Sequence, residues 1–119
     1  LRRVLRAYVL LNPGVGYVQG MNFVCAFLLL ITGRDERRTL FLLHGLVTRI
    51  LPGVFASGMP TVRVAGEVFG MLVEERFPTI AENLRLGGME ASLLLPRWLL
   101  CGFLSAVPAE TVARIWDML

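Results

Sequence analysis

Residues 12–23 read Asn12-Pro13-Gly14-Val15-Gly16-Tyr17-Val18-Gln19-Gly20-Met21-Asn22-Phe23, a glycine-rich break between two apolar helical patterns. Proline presets one φ and glycine tolerates the positive φ that other residues avoid, so Asn12-Pro13-Gly14 is a turn. Before it, Leu1, Val4, Leu5, Tyr8 and Leu11 recur on one helical stripe, with Arg2, Arg3 and Arg6 off it. After it, a helix starts at Gln19 or Gly20 and runs to Ile31; from Phe23 onward it is apolar all round, as expected of a central helix. Gln19 is therefore an amide placed by a turn just ahead of a buried helix. It offers one acceptor and two donors without charge, which suits orienting a water or reading another protein's backbone. The same groups also serve to cap or pack beside the turn and satisfy a backbone group.

Helical periodicity continues outward from this break. Thr32-Gly33-Arg34-Asp35 is a turn, and a third helix from Glu36 to Leu51 repeats Leu40, Leu43, Val47 and Ile50 before Pro52-Gly53. A loop over residues 52–60 precedes a fourth helix, Thr61 to Arg76, whose stripe is Val64, Val68, Leu72 and Val73. Thr79 and Glu82 have the spacing of a capping box for a short fifth helix that ends at Gly87-Gly88. Pro96 opens a sixth, or lies in its first turn, through Trp98, Leu99 and Phe103. Pro108 opens a seventh, with Val112, Ile115, Trp116 and Leu119 on one face. No segment of useful length alternates with strand period. The expected fold is all-α, with about seven helices and short loops.

The chain is 119 residues long, 55% hydrophobic, with a mean hydropathy of +0.66. Its longest uninterrupted apolar run, Phe23–Ile31, falls well short of the roughly 20 residues of a membrane-spanning helix. A helical pattern is already under way at Leu1, and an amphipathic pattern is still running at Leu119. The expectation is a piece of a larger globular domain, aggregation-prone alone because its core faces lack partner helices.

Net charge is +3, and all twelve basic residues are arginines. They are scattered; Arg34, Arg37 and Arg38 interleave with Asp35 and Glu36, and Arg2, Arg3 and Arg6 lack the aromatic interleaving of a nucleic-acid surface. No nucleic-acid partner is expected. Cys25 and Cys101 lie far apart in apolar stretches and His44 is the one histidine, so neither a metal site nor a disulfide framework is expected. Reduced, buried thiols of a cytosolic protein are the plain reading.

Other chemistry finds little support. His44 has no cysteine beside it and reads as a hydrogen-bonded core residue. Glu74-Glu75-Arg76 reads as a solvated helix face. Gly14, Gly16 and Gly20 lack the Gly-Lys-Ser/Thr element and the leading strand of a phosphate loop. Arg114 and Asp117, three apart, suit a weak pair on one helix face or an anchor to other segments.

Four segments together resemble TBC domains, the family that activates Rab GTPases. Leu5 to Phe23 is similar to the family's Tyr-x-Gln-Gly-Met-Asn motif with its preceding helix, and Leu51-Pro52-Gly53-Val54-Phe55 to its Leu-Pro-x-aromatic loop. Trp98 to Phe103 resembles its Trp-x-x-x-x-Phe helix, and Pro108 to Asp117 its Pro-x-Glu-x-x-x-Arg-Ile-Trp-Asp segment. One departure is Thr39-Leu40-Phe41, where relatives often carry Phe-Trp.

The resemblance implies that residues 1–119 are the central part of a TBC domain, all-helical, acting on a Rab-family GTPase in trans. The GTPase, not this chain, is then the enzyme, and GTP and Mg²⁺ belong to it. The family supplies an arginine from an Ile-x-x-Asp-x-x-Arg motif and the glutamine of Tyr-x-Gln. Only the glutamine maps here, to Gln19, and no arginine present takes the other role. Tyr17 would brace the loop, Gly20 would admit the partner's backbone, and Asn22 would satisfy local backbone groups. Expected location is the cytoplasm, with peripheral association with endomembranes allowed. The alternative implied is a TBC scaffold that binds a GTPase or trafficking partner without catalysis.

Overall fold

Turn residues set the helix boundaries in a computed structural model that describes residues 1–119. Seven α-helices follow in order: α1 (Arg2–Leu11), α2 (Met21–Ile31), α3 (Glu36–Gly45), α4 (Pro60–Arg76), α5 (Pro78–Leu86), α6 (Leu94–Leu100) and α7 (Ala109–Trp116). A π-wound turn, Leu46–Ile50, prolongs α3, and a 3₁₀ turn, Ala91–Leu93, leads into α6. There is no strand, so the all-α reading holds. No helix is long and apolar enough to cross a membrane.

Local chemistry explains most of the ends. The Asp35 carboxylate accepts from the Arg38 backbone N–H at 3.0 Å and caps α3. Pro60 and Pro78 occupy the first turns of α4 and α5, where a missing N–H has no cost and a preset φ helps. The capping box expected at Thr79 and Glu82 does not form. Pro78 already holds a helical φ, so the helix begins ahead of Thr79 with Phe77 as its cap. Glu82 pairs instead with Arg85 along the helix surface.

Two helices differ in extent from expectation. The third was expected to stay α-helical to Leu51, but its last turn widens: the Leu51 N–H donates to the Leu46 carbonyl at 2.8 Å, five residues back. The wide turn keeps Leu46 and Val47 both against the core, and Ile50, expected on the buried stripe, is left exposed. The sixth helix was expected to reach Phe103 but stops at Leu100. Gly102 (φ 57°) and Phe103 (φ 66°) turn left-handed, the Gly102 N–H donates to the Leu99 carbonyl at 3.0 Å, and the Phe103 N–H reaches the Trp98 carbonyl at 2.7 Å. This is a Schellman closure.

Packing divides the molecule into two lobes. In the first, Val4 and Tyr8 of α1, Met21, Val24, Cys25 and Leu28 of α2, and Leu43, Leu46 and Val47 share a core sealed by Val54 and Phe55 and reached by Val62 at the start of α4. Thr39 is buried there too; its hydroxyl donates to the Asp35 carbonyl at 2.7 Å and meets the Thr32 hydroxyl at 2.9 Å. These bonds give a polar side chain a place in the core. In the second lobe, α4 packs on the 3₁₀ turn, α5 and α6. The result is elongated, 46 × 31 × 23 Å.

Several expected core faces are open. On α1, Leu1 and Leu11 are exposed while Val4 and Tyr8 are buried. Helix α2 is central on one side only, with Phe23, Leu30 and Ile31 facing outward. On α4, Val73 is buried as expected, but Val64, Val68 and Leu72 are exposed, and Val62 and Gly66 are buried instead. Glycine adds nothing to an apolar stripe, yet Gly66 is the contact: a Cβ there would lie 2.7 Å from the Ser92 carbonyl oxygen.

The lobes are tied at the end of α6. Gly20 (φ 109°) lies against Leu100, where a Cβ would come within 2.4 Å of its carbonyl oxygen. Two residues on, a Cβ on Gly102 would meet Trp116 Cζ2 at 2.8 Å and Val24 Cγ2 at 3.3 Å. The Trp116 indole N–H donates to the Gly102 carbonyl at 3.0 Å, and its ring stands edge-on to Phe27 with centroids 5.1 Å apart. Helix α7 is thereby folded back onto α2. Arg114 and Asp117 on its outer side form no ion pair with each other or with any other residue.

Gly20→Ala is expected to destabilise the intact protein by roughly 2–5 kcal/mol, combining a left-handed φ with a backbone collision. Gly14→Ala, where a Cβ meets nothing within 4 Å, serves as the control and should leave the thermal midpoint nearly unchanged. Equal midpoints for the two variants would contradict the Gly20–Leu100 contact. Removing the α3 cap with Asp35→Ala should cost about 1 kcal/mol in denaturant unfolding.

Candidate functional site

The stretch between α1 and α2 is held at both ends and leaves one polar side chain free. At its start, the Asn12 backbone N–H donates to the Tyr8 carbonyl at 2.9 Å, with its side-chain amide at 3.4 Å from the same oxygen. The Asn12 carbonyl then accepts from the N–H groups of Val15 and Gly16, at 3.1 and 2.9 Å. Asn12 thus ends α1 and begins the turn with its own groups. At the far end, the Met21 N–H donates to the Val18 carbonyl at 3.1 Å, and the Val18 N–H points at Met21 Sδ at 3.5 Å.

Gln19 sits between these anchors. It is exposed, and its carboxamide makes no hydrogen bond within the molecule, in contrast to the amides of Asn12 and Asn22. The capping or packing reading of Gln19 is therefore not what the structure shows. Its neighbour Gly20 is buried against Leu100 at the end of α6. The space that Gly20 opens is filled by Leu100, an internal contact that sequence reasoning missed; a glycine just ahead of an apolar helix was its one visible signal. Asn22 does satisfy local groups, as expected: its Oδ1 accepts from the Gly20 N–H at 3.2 Å and from the Tyr17 hydroxyl at 3.4 Å.

Tyr17 braces the loop through that hydroxyl and still shows about half of its surface (52%) to solvent. The ring borders an apolar groove along α1, formed by Leu5, Val9 and Leu10 with Arg2 and Arg6 on the rim. Neither arginine has an acidic partner, whereas Arg3 binds Glu36 at 2.9 Å on the other side of α1. That hydrogen bond, followed by the charge of Glu36, raises the Arg3 pKa above its ordinary value. The groove presents a phenol and two unpaired cations around an apolar strip, and the loop that carries the phenol also presents the free Gln19 carboxamide.

Behind the loop, Tyr8 is buried and its hydroxyl has no partner; burial pushes its pKa up and keeps it protonated. Burial likewise pushes the Cys25 thiol up, so it is a poor nucleophile. Cys25 and Cys101 are both free. His44, read from sequence as a core residue, is exposed on α3 and far from any thiol partner in sequence; its carbonyl accepts from the Thr48 hydroxyl at 2.7 Å. No three His, Cys, Asp or Glu side chains converge as a metal-binding group would require.

The family comparison covers the loop and every helix. A family model described as the Rab-GTPase-TBC domain matches residues 1–119. Growth hormone-regulated TBC protein 1 of Homo sapiens is 43% identical over 119 residues, covering 100% of this chain and 35% of the relative. The protein of the same name from Xenopus tropicalis is 40% identical, over 100% of this chain and 34% of its own length. Carabin of Mus musculus is 36% identical over 117 residues, 98% of this chain and 26% of that protein. The chain thus spans about a third of the length of the first of these relatives. No solved structure matches it. With the family pattern carried from end to end by seven helices and the Tyr17–Asn22 loop, the chain belongs to the Rab-GTPase-TBC domain family.

Proposed function

We propose that this chain is the central part of an activator of a Rab-family GTPase, and that Gln19 acts in trans on the bound nucleotide. The observation that carries the reading is the free Gln19 carboxamide, presented on a loop whose neighbouring residues are bonded or buried. Phosphoryl transfer from GTP asks for positioning and charge stabilisation rather than covalent help. A carboxamide accepts a hydrogen bond from the attacking water and donates another to the phosphoryl oxygens or a backbone carbonyl, and so can hold the water in line. Gln19 does this in place of the GTPase's own glutamine. The charge-neutralising arginine, worth on the order of 10³–10⁵ in rate, comes from outside residues 1–119. Tyr17 meets the partner beside it. GTP and Mg²⁺ stay with the GTPase, and the chain itself breaks no bond. The setting is the cytoplasmic face of endomembranes, where Rab proteins control vesicle traffic.

The test is single-turnover GTP hydrolysis by a panel of Rab proteins, with the intact protein and its Gln19→Ala variant. Stimulation should fall by roughly 10²-fold or more in the variant, with an unchanged melting profile. A variant that stimulates as well as the unsubstituted protein would sink the glutamine role. Binding to a Rab without any acceleration would instead establish the non-catalytic scaffold.

A further inference from the structure

We infer that Asn22 is a positioning residue for Gln19; the inference rests on the activator reading above. Asn22 lies at the second position of α2, and its Oδ1 takes two donors, the Gly20 N–H at 3.2 Å and the Tyr17 hydroxyl at 3.4 Å. These donors lie on either side of Gln19 in the chain. One side-chain oxygen therefore fastens the backbone just after Gln19 and the side chain two residues before it.

The bond to Gly20 matters most, because its N–H belongs to the peptide unit that starts at the Gln19 carbonyl carbon. With Val18 held by its own bonds to Met21, orienting that peptide plane restricts ψ of Gln19, and so the direction in which its Cα–Cβ bond leaves the loop. No backbone carbonyl takes the Gly20 N–H, and the other loop bonds hold Val18 and Met21. Without Asn22 the Gly20 N–H has no partner inside the protein, and only the Val18–Met21 turn bond and the Leu100 contact still orient the Gln19–Gly20 peptide. The orientation of the Asn22 amide follows from the same chemistry: a backbone N–H only donates, so it selects the oxygen. Leu100, packed on Gly20, supplies the opposing wall.

The experiment combines the Rab hydrolysis assay with amide hydrogen exchange on the intact protein. Asn22→Leu removes the acceptor and should lower the saturating stimulated rate roughly 10- to 100-fold, with the half-saturating concentration changed by less than about twofold. Asn22→Asp retains the acceptor and should stay within about threefold of the unsubstituted rate. Combined with Gln19→Ala, Asn22→Leu should add no further loss, because the two act as one unit. Full activity of Asn22→Leu, a loss confined to the half-saturating concentration, or fully multiplicative losses in the double variant would each overturn the inference. Full activity of Gln19→Ala would instead remove the glutamine role on which the inference rests, whatever Asn22 does. Should Asn22→Leu not fold, the unsubstituted protein still decides: a Gly20 amide exchanging at the unprotected rate, when Met21 onward is protected, overturns the assignment.

Discussion

Two backbones touch where Gly20 meets Leu100, and much of the molecule is arranged around keeping them that close. A side chain at residue 20 would collide with the Leu100 carbonyl, and φ at this position is one that favours glycine. The contact joins the start of α2, in the first lobe, to the end of α6, in the second. Gly102 repeats the device two residues later, giving Trp116 and Val24 room to close over it. The loop that displays Gln19 thus belongs to the first lobe and rests, at Gly20, on Leu100 of the second. An exposed residue on a short loop acquires a defined position because the backbone beneath it has nowhere to go.

The same arrangement separates packing groups from exposed polar ones within six residues. Met21 and Gly20 are buried and serve packing; Gln19 and Tyr17 face outward and keep polar atoms available. Asn22 mediates between the two by spending its oxygen inside the loop. Preorganisation of this kind suits the role proposed for Gln19, since little ordering would remain to be done on contact with a partner. The unpaired Arg2 and Arg6 along the adjoining groove extend the polar surface without adding buried charge.

Much of this was legible in the residues. Pro13, Gly33, Pro52, Pro78 and Gly87-Gly88 marked the breaks, and the periodicity between them gave the helices. What could not be read has physical causes. The apolar stripe of α4 pointed correctly to Val73 but also to the exposed Val64, Val68 and Leu72, because side-chain hydrophobicity was the guide, whereas the contact with Ser92 is made by Gly66 and Gly70, which have no side chain to score. Thr79 and Glu82 had capping spacing, but a proline one residue earlier had already started the helix. Gln19 was singled out by its motif, yet its freedom from internal bonds and the opposition of Leu100 depend on a residue 81 positions away in sequence, beyond the reach of local pattern.

Helix α4 carries one more implication. Gly66 and Gly70 form a notch in which Ser92 sits, with a Cβ at the second glycine coming to 3.2 Å from the serine Cβ. Bulkier Val62 and Val73 stand beyond it at either end. The notch sets the axial register of the second lobe, much as a key seat fixes a shaft. An insertion of one residue inside α4 between 66 and 70 would turn the two glycines about 100° out of line, whereas an extra residue in the 87–90 connection would leave them aligned. Since the 3₁₀ turn leads straight into α6 and so to Leu100, a register error in α4 would propagate to the floor beneath Gln19. Length changes in this domain should therefore be tolerated by connection, not by distance from the loop.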